Sequence, residues 1–227
     1  MSRLQSLRIL FNSISEPGER EKLTETIKET DPLVFDKLSE CLTGGGVIVY
    51  PTETLYGIGC LAFDREACRR IVRIKQRSGG KGLIVLASDE EMLDRHFHVP
   101  GDLLERYSRS QKPLTLILHP KSVFPQEVSG GRDSVAARIS TSPFAKEILR
   151  RVGEPITSTS ANISGRGNSN RLADIRRDFP SGIDVIVDSG NLPPSMGSAI
   201  VNLTTASPEI IREGDLSVAE IEKILHG

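Results

Sequence analysis

Short runs of β-branched and aliphatic residues recur along the chain and predict the strands of a sheet. Each run is about five residues long, a length typical of a buried strand. The runs are "VIVYP" (47–51), "LIVLA" (83–87), "LTLIL" (114–118), "VAARI" (135–139), "PITST" (155–159), "DVIVD" (184–188) and "AIVNL" (199–203). Seven such runs predict one large sheet rather than an isolated hairpin.

Segments with apolar residues at helical spacing lie between these runs. In "DPLVFDKLSECLTGGG" (31–46) the apolar positions follow the period of an α-helix, and the glycines end it. Similar patterns predict helices near 64–77, 101–109, 143–152 and 171–178, and over the C-terminal "SVAEIEKIL". Because strands and helices interleave without strict βαβ repeats, the predicted fold class is α/β, with a large mixed sheet and flanking helices.

Length and composition favour one folded domain. The 227 residues are 37% hydrophobic and 26% charged, which is enough to bury a substantial core. We predict a single domain over residues 31–227, preceded by an N-terminal extension, residues 1–30, of uncertain packing. The segment "SGRGNSNR" (164–171) is rich in Gly, Ser and Asn and predicts a mobile loop beside a site.

Charge and motif spacing narrow the classes of function. The 29 basic and 30 acidic side chains nearly cancel, so overall charge does not favour a general nucleic-acid or membrane-surface binder. The longest apolar runs are too short to span a bilayer and the N-terminus lacks a signal-peptide pattern, which predicts a cytoplasmic protein without membrane contact. The sequence has no CxxC, HExxH or GxSxG motif, which argues against zinc ribbons, metalloproteases and serine hydrolases.

The segment "RIVRIKQRSGGKGLIVL" (70–86) concentrates five cations and contains no acid. Arg69 and Arg73 repeat along one face of the predicted helix, where simple solvation explains their charge. Lys75 falls on the apolar face instead, so its side chain must snorkel or lie at the end of the helix. The glycines at 79 and 80 end the helix just beyond it.

Lys75, Arg77 and Lys81 are therefore predicted to lie close together and to meet an anion inside a cleft. Ordinary surface cations, favoured by the C-terminus of a helix, are the alternative. The segment "SGGKGL" does not satisfy the P-loop pattern GxxxxGK[ST]. A nucleotide bound here would be held by side-chain cations.

Hydroxyl and amide side chains cluster at two predicted strand ends. "PITSTSANISG" (155–165) carries Thr157, Ser158, Thr159, Ser160 and Asn162 in close succession, which either satisfy the backbone of a turn or face phosphate and ribose oxygens. "YPTETLYGIG" (50–59) combines Thr52, Glu53 and Thr54 with glycines, where backbone can pass close to a ligand.

Arg138 lies inside the apolar run "VAARIS". An unpaired charge is costly to bury, so this arginine predicts a carboxylate or phosphate partner.

Seven motifs follow one another from about Gly44 to Gly214 and cover most of the chain. They are "YPTETLYGIG", "KQR" with "KGLIVL", "PLTLIL", "VAARI", "STSANISG", "GSAIVNLT" and "IIREG". In this order they resemble the YrdC-like threonylcarbamoyl-AMP synthases, in the short form with a single catalytic domain. The resemblance implies a twisted mixed sheet that encloses a positively charged cavity.

The resemblance also implies a nucleotidyltransferase that converts L-threonine, bicarbonate and ATP to threonylcarbamoyl-AMP and pyrophosphate. That product serves the threonylcarbamoyladenosine modification of tRNA and would pass to a downstream threonylcarbamoyl transferase complex. Mg²⁺ is expected to bridge the ATP phosphates, and contact with tRNA or double-stranded RNA is a further implied property. The alternative is an RNA-binding or ribosome-maturation paralogue with the same fold and no synthase activity.

The family's functional residues map onto positions of this sequence. Those implied to hold the ATP phosphates and to be catalytic are Lys75 and Arg77. Those implied to complete the nucleotide site are Thr115, Ser160, Asn162 and Arg212. Those implied to surround threonine are Thr52, Lys81, Arg138 and Ser198. No metal ligand is identified.

Two positions depart from the family pattern. "SQKPLTLIL" replaces the usual Pro-Gly-Pro before that strand, so we expect a loop of different shape. Ser198 is followed by Ala199 where the family has Thr, which removes one hydroxyl from the predicted threonine pocket.

Overall fold

Ten short strands form one mixed sheet in this computed structural model, which describes residues 24–77, 80–165 and 170–227. The strands are β1 (Glu25–Lys28), β2 (Ile48–Pro51), β3 (Tyr56–Gly59), β4 (Ile84–Ala87), β5 (Leu114–Leu118), β6 (Val135–Ile139), β7 (Ile156–Ser160), β8 (Val185–Asp188), β9 (Ala199–Asn202) and β10 (Glu209–Arg212). Their order across the sheet is β1-β8-β2-β3-β7-β4-β6-β5-β9-β10, with parallel and antiparallel neighbours. This arrangement confirms the predicted fold class.

Eight helices in the described residues accompany the sheet. They are α1 (Val34–Thr43), α2 (Arg65–Ile74), α3 (Glu90–His96), α4 (Gly101–Ser110), α5 (Gln126–Ser129), α6 (Pro143–Val152), α7 (Leu172–Asp178) and α8 (Val218–His226). Helix α1 packs on α6, and α4 packs on α8. None of the helices in these ranges is long and apolar enough to cross a membrane.

Side-chain caps fix where several helices begin. Asp64 accepts a hydrogen bond from the backbone N–H of Ala67 and so starts α2, and Ser142 starts α6 in the same way. Ser217 and Glu220 form a reciprocal capping box at α8.

The strands near the middle of the sheet are buried on both faces. All four residues of β2 and all four of β3 are buried, and they do not alternate with polar residues. This pattern is expected where both faces of a sheet are covered. The core therefore runs along the sheet and positions the loops at its strand ends.

All seven strands predicted from the apolar runs are present, as are the six predicted helices. The sequence patterns missed β1, β3 and β10 and the short helices α3 and α5. Strand β3, "YGIG", has two glycines and weak strand propensity, and β10 is an exposed edge strand. The helix predicted over 64–77 ends at Ile74, because Gln76 has a φ of 49° and turns the chain out of the helix.

Two predicted segments lie partly outside the described residues. These are residues 1–23 of the N-terminal extension and residues 166–169 of the predicted loop 164–171. Strand β1, within the last part of that extension, pairs in parallel with β8. Residues 25–28 therefore belong to the sheet.

Gly59 gives a test of how closely β3 approaches β7. A Cβ atom on Gly59 would lie 2.2 Å from the carbonyl oxygen of Thr157 and 3.0 Å from the ring of Tyr50. We expect Gly59→Ala to lower the free energy of unfolding by about 1–3 kcal/mol, since neither neighbour can yield without moving the core. Urea denaturation measures this.

Gly101→Ala is the matched control, because a Cβ at that position of α4 meets nothing within 4 Å. Its free energy of unfolding should stay within about 1 kcal/mol of the starting value. Equal stability of the two variants would contradict the close packing of β3 on β7.

Candidate active site

A cavity of about 730 Å³ opens beside the sheet, a volume that suits a nucleotide-sized ligand. Its walls come from strands β3 to β7, β9 and β10 and from the loops that join them. Among the residues that the structure describes, five cations line it: Arg77, Lys81, Arg132, Arg138 and Arg212. No Asp or Glu occurs among the lining residues in the described parts of the chain. The cavity is therefore built for an anionic ligand.

Lys75 connects the end of α2 to the loop after β7. It is the C-cap residue of α2 and only 1% exposed, and its Nζ donates to the carbonyl oxygens of Ser160 and, at 2.6 Å, of Asn162. The backbone N–H of Ser164 donates in turn to the carbonyl of Lys75 at 3.1 Å. Burial, and then the nearby charge of Arg77, lower the pKa of Lys75 to about 7.

Arg77 is held at the cavity wall by the backbone of the following turn. Its Nε donates to the carbonyl of Lys81 at 2.8 Å and its Nη2 to the carbonyl of Gly82 at 2.7 Å. Its Nη1 lies 3.3 Å from the hydroxyl of Thr159. Burial lowers the pKa of Arg77. The neutral acceptors fix the guanidinium without cancelling its charge.

Hydrogen bonds between residues of the loop after β7 stabilise its turn. The hydroxyl of Ser160 donates to Oδ1 of Asn162 at 2.5 Å, and the backbone N–H of Asn162 donates to the carbonyl of Ser160 at 2.8 Å. Ser160 lines the cavity, whereas Asn162 is 7% exposed and lies outside the set of lining residues. Part of this polar run therefore shapes the loop and part of it faces the ligand space.

Arg138 has a carboxylate partner, as the sequence predicts for an arginine in an apolar run. Its Nη1 lies 2.5 Å from Oε1 of Glu53, and both side chains are nearly buried. Oε2 of Glu53 accepts from the hydroxyl of Ser140 at 3.1 Å and from the backbone N–H of Ser142 at 3.3 Å. The ion pair joins the β2–β3 turn to strand β6 and the start of α6.

Arg212 and Ser198 form the opposite part of the wall. Nε and Nη2 of Arg212 donate to the carbonyl of Ser198 at 3.1 and 2.6 Å. The hydroxyls of Ser198 and Thr115 lie 2.8 Å apart, and Thr115 is fully buried. Burial, and then the charge of Arg138, lower the pKa of Arg212. The two cations therefore repel each other.

Thr52 organises the turn that carries Glu53. Its Oγ1 donates to the carbonyl of Leu55 at 2.6 Å and accepts from the backbone N–H groups of Thr54 and Leu55, each at 3.2 Å. Such a bonding pattern stabilises a tight turn.

The ten site residues taken from the sequence divide into two groups. Those that line the cavity are Thr52, Arg77, Lys81, Arg138, Ser160, Ser198 and Arg212. Those that lie outside the lining are Lys75, Thr115 and Asn162. The fold brings all of them to one place, and their roles toward ligands stay predictions.

Sequence reasoning missed several residues of this site. Arg132 reaches the cavity from the glycine-rich "SGGRDS", where no periodic pattern marks it. Met196 and Ile211 add apolar wall and are 67% and 51% exposed. Glu53 stands in a quoted motif, but only the fold shows that it pairs with Arg138.

Comparison with known proteins identifies the protein family of this chain. The family model Sua5/YciO/YrdC, described as telomere recombination, matches residues 40–214. The chain belongs to this family. The matched span contains all the described residues that line the cavity.

Curated relatives with similar sequences are named threonylcarbamoyl-AMP synthase. The chain is 34% identical over 185 residues to a threonylcarbamoyl-AMP synthase of Pyrococcus abyssi, covering 80% of this chain and 54% of that protein. It is 36% identical over 148 residues to a threonylcarbamoyl-AMP synthase of Halorhodospira halophila, covering 64% of this chain and 78% of that protein. It thus spans about half the length of the Pyrococcus relative.

Solved structures share the fold. Pyrococcus abyssi Sua5 complexed with L-threonine superposes with a TM-score of 0.81 at 29% identity, over 90% of this chain and 61% of that chain. Escherichia coli YciO superposes with a TM-score of 0.76 at 25% identity, over 87% of this chain and 97% of that chain. Sequence family and fold therefore agree.

The lowered pKa of Lys75 predicts a pH dependence of stability. A lysine has an ordinary pKa of 10.5, and burial lowers that of Lys75 to about 7 in the folded protein. Between these values the unfolded chain holds more protons than the folded one, so the contribution of this group to stability rises with pH. The free energy of unfolding of the wild type minus that of Lys75→Met should increase by roughly 1 kcal/mol per pH unit between about pH 8 and pH 9.5.

Denaturant titrations over this range measure the slope, which is independent of how much stability the substitution removes overall. Lys223→Met replaces an exposed lysine of α8 and serves as the control, with a difference that should stay flat. A flat difference for Lys75→Met as well would contradict the burial of an ammonium at this position.

Proposed function

We propose that the chain is a threonylcarbamoyl-AMP synthase, a nucleotidyltransferase that acts on ATP, L-threonine and bicarbonate. One observation carries the proposal: in the part of the chain that the structure describes, five cations and no acid line a nucleotide-sized cavity. Membership of the family, relatives named threonylcarbamoyl-AMP synthase and a similar Sua5 structure with L-threonine bound support it.

The reaction suits such a cavity. The amine of threonine and bicarbonate combine to a carbamate and water, and a carbamate oxygen then attacks the α-phosphorus of ATP while pyrophosphate leaves. Both reactants of the second step are anions, so their mutual repulsion opposes the attack. Fixed cations reduce that repulsion and hold the two groups in line, which contributes more here than a protein acid or base.

The nucleotide would lie against β7 and β10. Arg77 and Ser160 would contact the phosphates, and Arg212 would complete this part of the site. Thr115 would act through its hydrogen bond to Ser198. Because the ammonium of Lys75 is bonded to the loop that carries Ser160, its contribution to phosphate binding would pass through that loop, together with Asn162.

Threonine would lie on the other side of the cavity, near β6. Thr52, Lys81, Arg138 and Ser198 all line the cavity. Arg138 would receive the amino-acid carboxylate, because a guanidinium can offer a carboxylate two parallel hydrogen bonds.

Mg²⁺ would enter with ATP. In the described ranges no group of three or more His, Cys, Asp or Glu could hold a metal ion. The ion would therefore be coordinated by phosphate oxygens and water, which is common for Mg²⁺ at nucleotide sites. Its chemistry would be to neutralise phosphate charge.

The proposed product would serve tRNA modification in the cytoplasm and would pass to a threonylcarbamoyl transferase complex. The alternative, an RNA-binding paralogue without synthase activity, calls for an extended basic surface. Several exposed arginines instead pair with acids, as Arg69 does with Glu66 and Glu127, and Arg177 with Asp174. This pairing favours the synthase.

The synthase proposal is tested by pyrophosphate release. Purified protein with ATP and Mg²⁺ should release pyrophosphate only when threonine and bicarbonate are both present. Arg77→Ala should lower kcat/KM for ATP by about a hundredfold or more, because it removes a fixed cation from the cavity.

Arg69→Ala, on the outer face of α2, is the control and should change kcat/KM by less than about twofold. Thermal melts of both variants separate loss of activity from loss of fold. Pyrophosphate release that ignores threonine would overturn the proposed reaction, and equal losses in both folded variants would overturn the role of Arg77.

A further inference from the structure

Glu53 is a buried acid next to a cavity whose walls are cationic. Its side chain is 11% exposed and lies behind Arg138 rather than among the lining residues. It accepts hydrogen bonds from Ser140 and from the backbone N–H of Ser142, the N-cap residue of α6. A carboxylate is favoured there, because the first N–H groups of a helix carry partial positive charge. Glu53 is therefore anchored independently of any ligand.

Arg138 uses only part of its donor set on Glu53. The guanidinium carries five N–H donors, and the contact with Glu53 is made by Nη1. Nε is buried and has no hydrogen-bond partner among the described residues. A buried donor without an acceptor is costly, so the protein alone does not satisfy all the donors of this guanidinium.

The five N–H donors of a guanidinium point in several directions, so one arginine can contact two carboxylates at once. Arg138 lines the cavity while its Nη1 pairs with Glu53. We propose that Glu53 is a positioning residue, which fixes Arg138 so that its guanidinium receives the carboxylate of the amino-acid substrate. This inference rests on the proposed function.

The environment of the pair leaves Arg138 few other positions. Burial raises the pKa of Tyr50 and of Tyr107, and both hydroxyls lie close enough to feel the charges of Arg138 and Glu53. The hydroxyl of Tyr107 donates to the carbonyl of Leu114 at 2.6 Å. Arg212 and Arg138 repel each other, and Asp215 offsets part of the charge of Arg212. Without the negative charge of Glu53, Arg138 would lose its ion-pair partner and the guanidinium would shift.

Glu53→Gln tests the proposal, since it keeps the size of the side chain and removes its charge. In threonine-dependent pyrophosphate release, KM for threonine should rise about tenfold to a hundredfold, while KM for ATP changes by less than about twofold. Glu53→Asp keeps the charge and should recover part of the threonine affinity. Calorimetric titration with threonine alone gives the same comparison without turnover.

Asp184→Asn is the matched control. Asp184 is also a buried acid, 8% exposed, and it pairs with Arg70 away from the cavity. Its loss should reduce stability without separating the two KM values. Equal rises of both KM values in Glu53→Gln, or an unchanged KM for threonine, would overturn the inference.

A double-variant cycle isolates the path through Arg138. In an Arg138→Gln background, Glu53→Gln should have no further effect on threonine binding, and the two losses should not add. Full additivity would show that Glu53 acts by another route and would overturn the inference. If the wild type binds threonine but releases no pyrophosphate, the proposed reaction fails, while weaker threonine binding by Glu53→Gln still supports the positioning role.

Discussion

Repulsion between like charges is the constraint on which this site depends. Five cations among the described residues share one cavity, where like charges repel. Two of them are fixed by neutral acceptors: Arg77 by the carbonyls of the following turn, and Arg212 by the carbonyl of Ser198. Arg138 is fixed by a carboxylate. Carbonyl dipoles hold a cation without cancelling its charge, so the positive potential of the cavity survives for an anionic substrate.

Lys75, buried at the end of α2, is likewise held by neutral acceptors. A buried ammonium needs several acceptors, and it finds two carbonyl oxygens of the loop after β7. The bonds join two elements that are distant in sequence, and the loop after β7 reaches the cavity wall through Ser160. The position of Ser160 thereby depends on the end of α2, where burial lowers the pKa of Lys75.

Local sequence determines much of this fold but not the pairing of its charges. The β-branched runs predict seven strands correctly, because such residues favour buried strands wherever they occur. Strand β3 escapes prediction, because its glycines are selected by the closeness of β7, which only tertiary structure shows. The helical wheel places Lys75 on a buried face, but not which acceptors it meets. Glu53 and Arg138 meet only because β6 lies beside the β2–β3 turn.

The cavity also bears on how the chain relates to longer members of its family. The lining residues that the structure describes lie between Thr52 and Arg212, inside the span that matches the family model. The Pyrococcus relative has nearly half its length outside the alignment with this chain. In this chain, strands and loops of the matched span supply the described cations of the cavity.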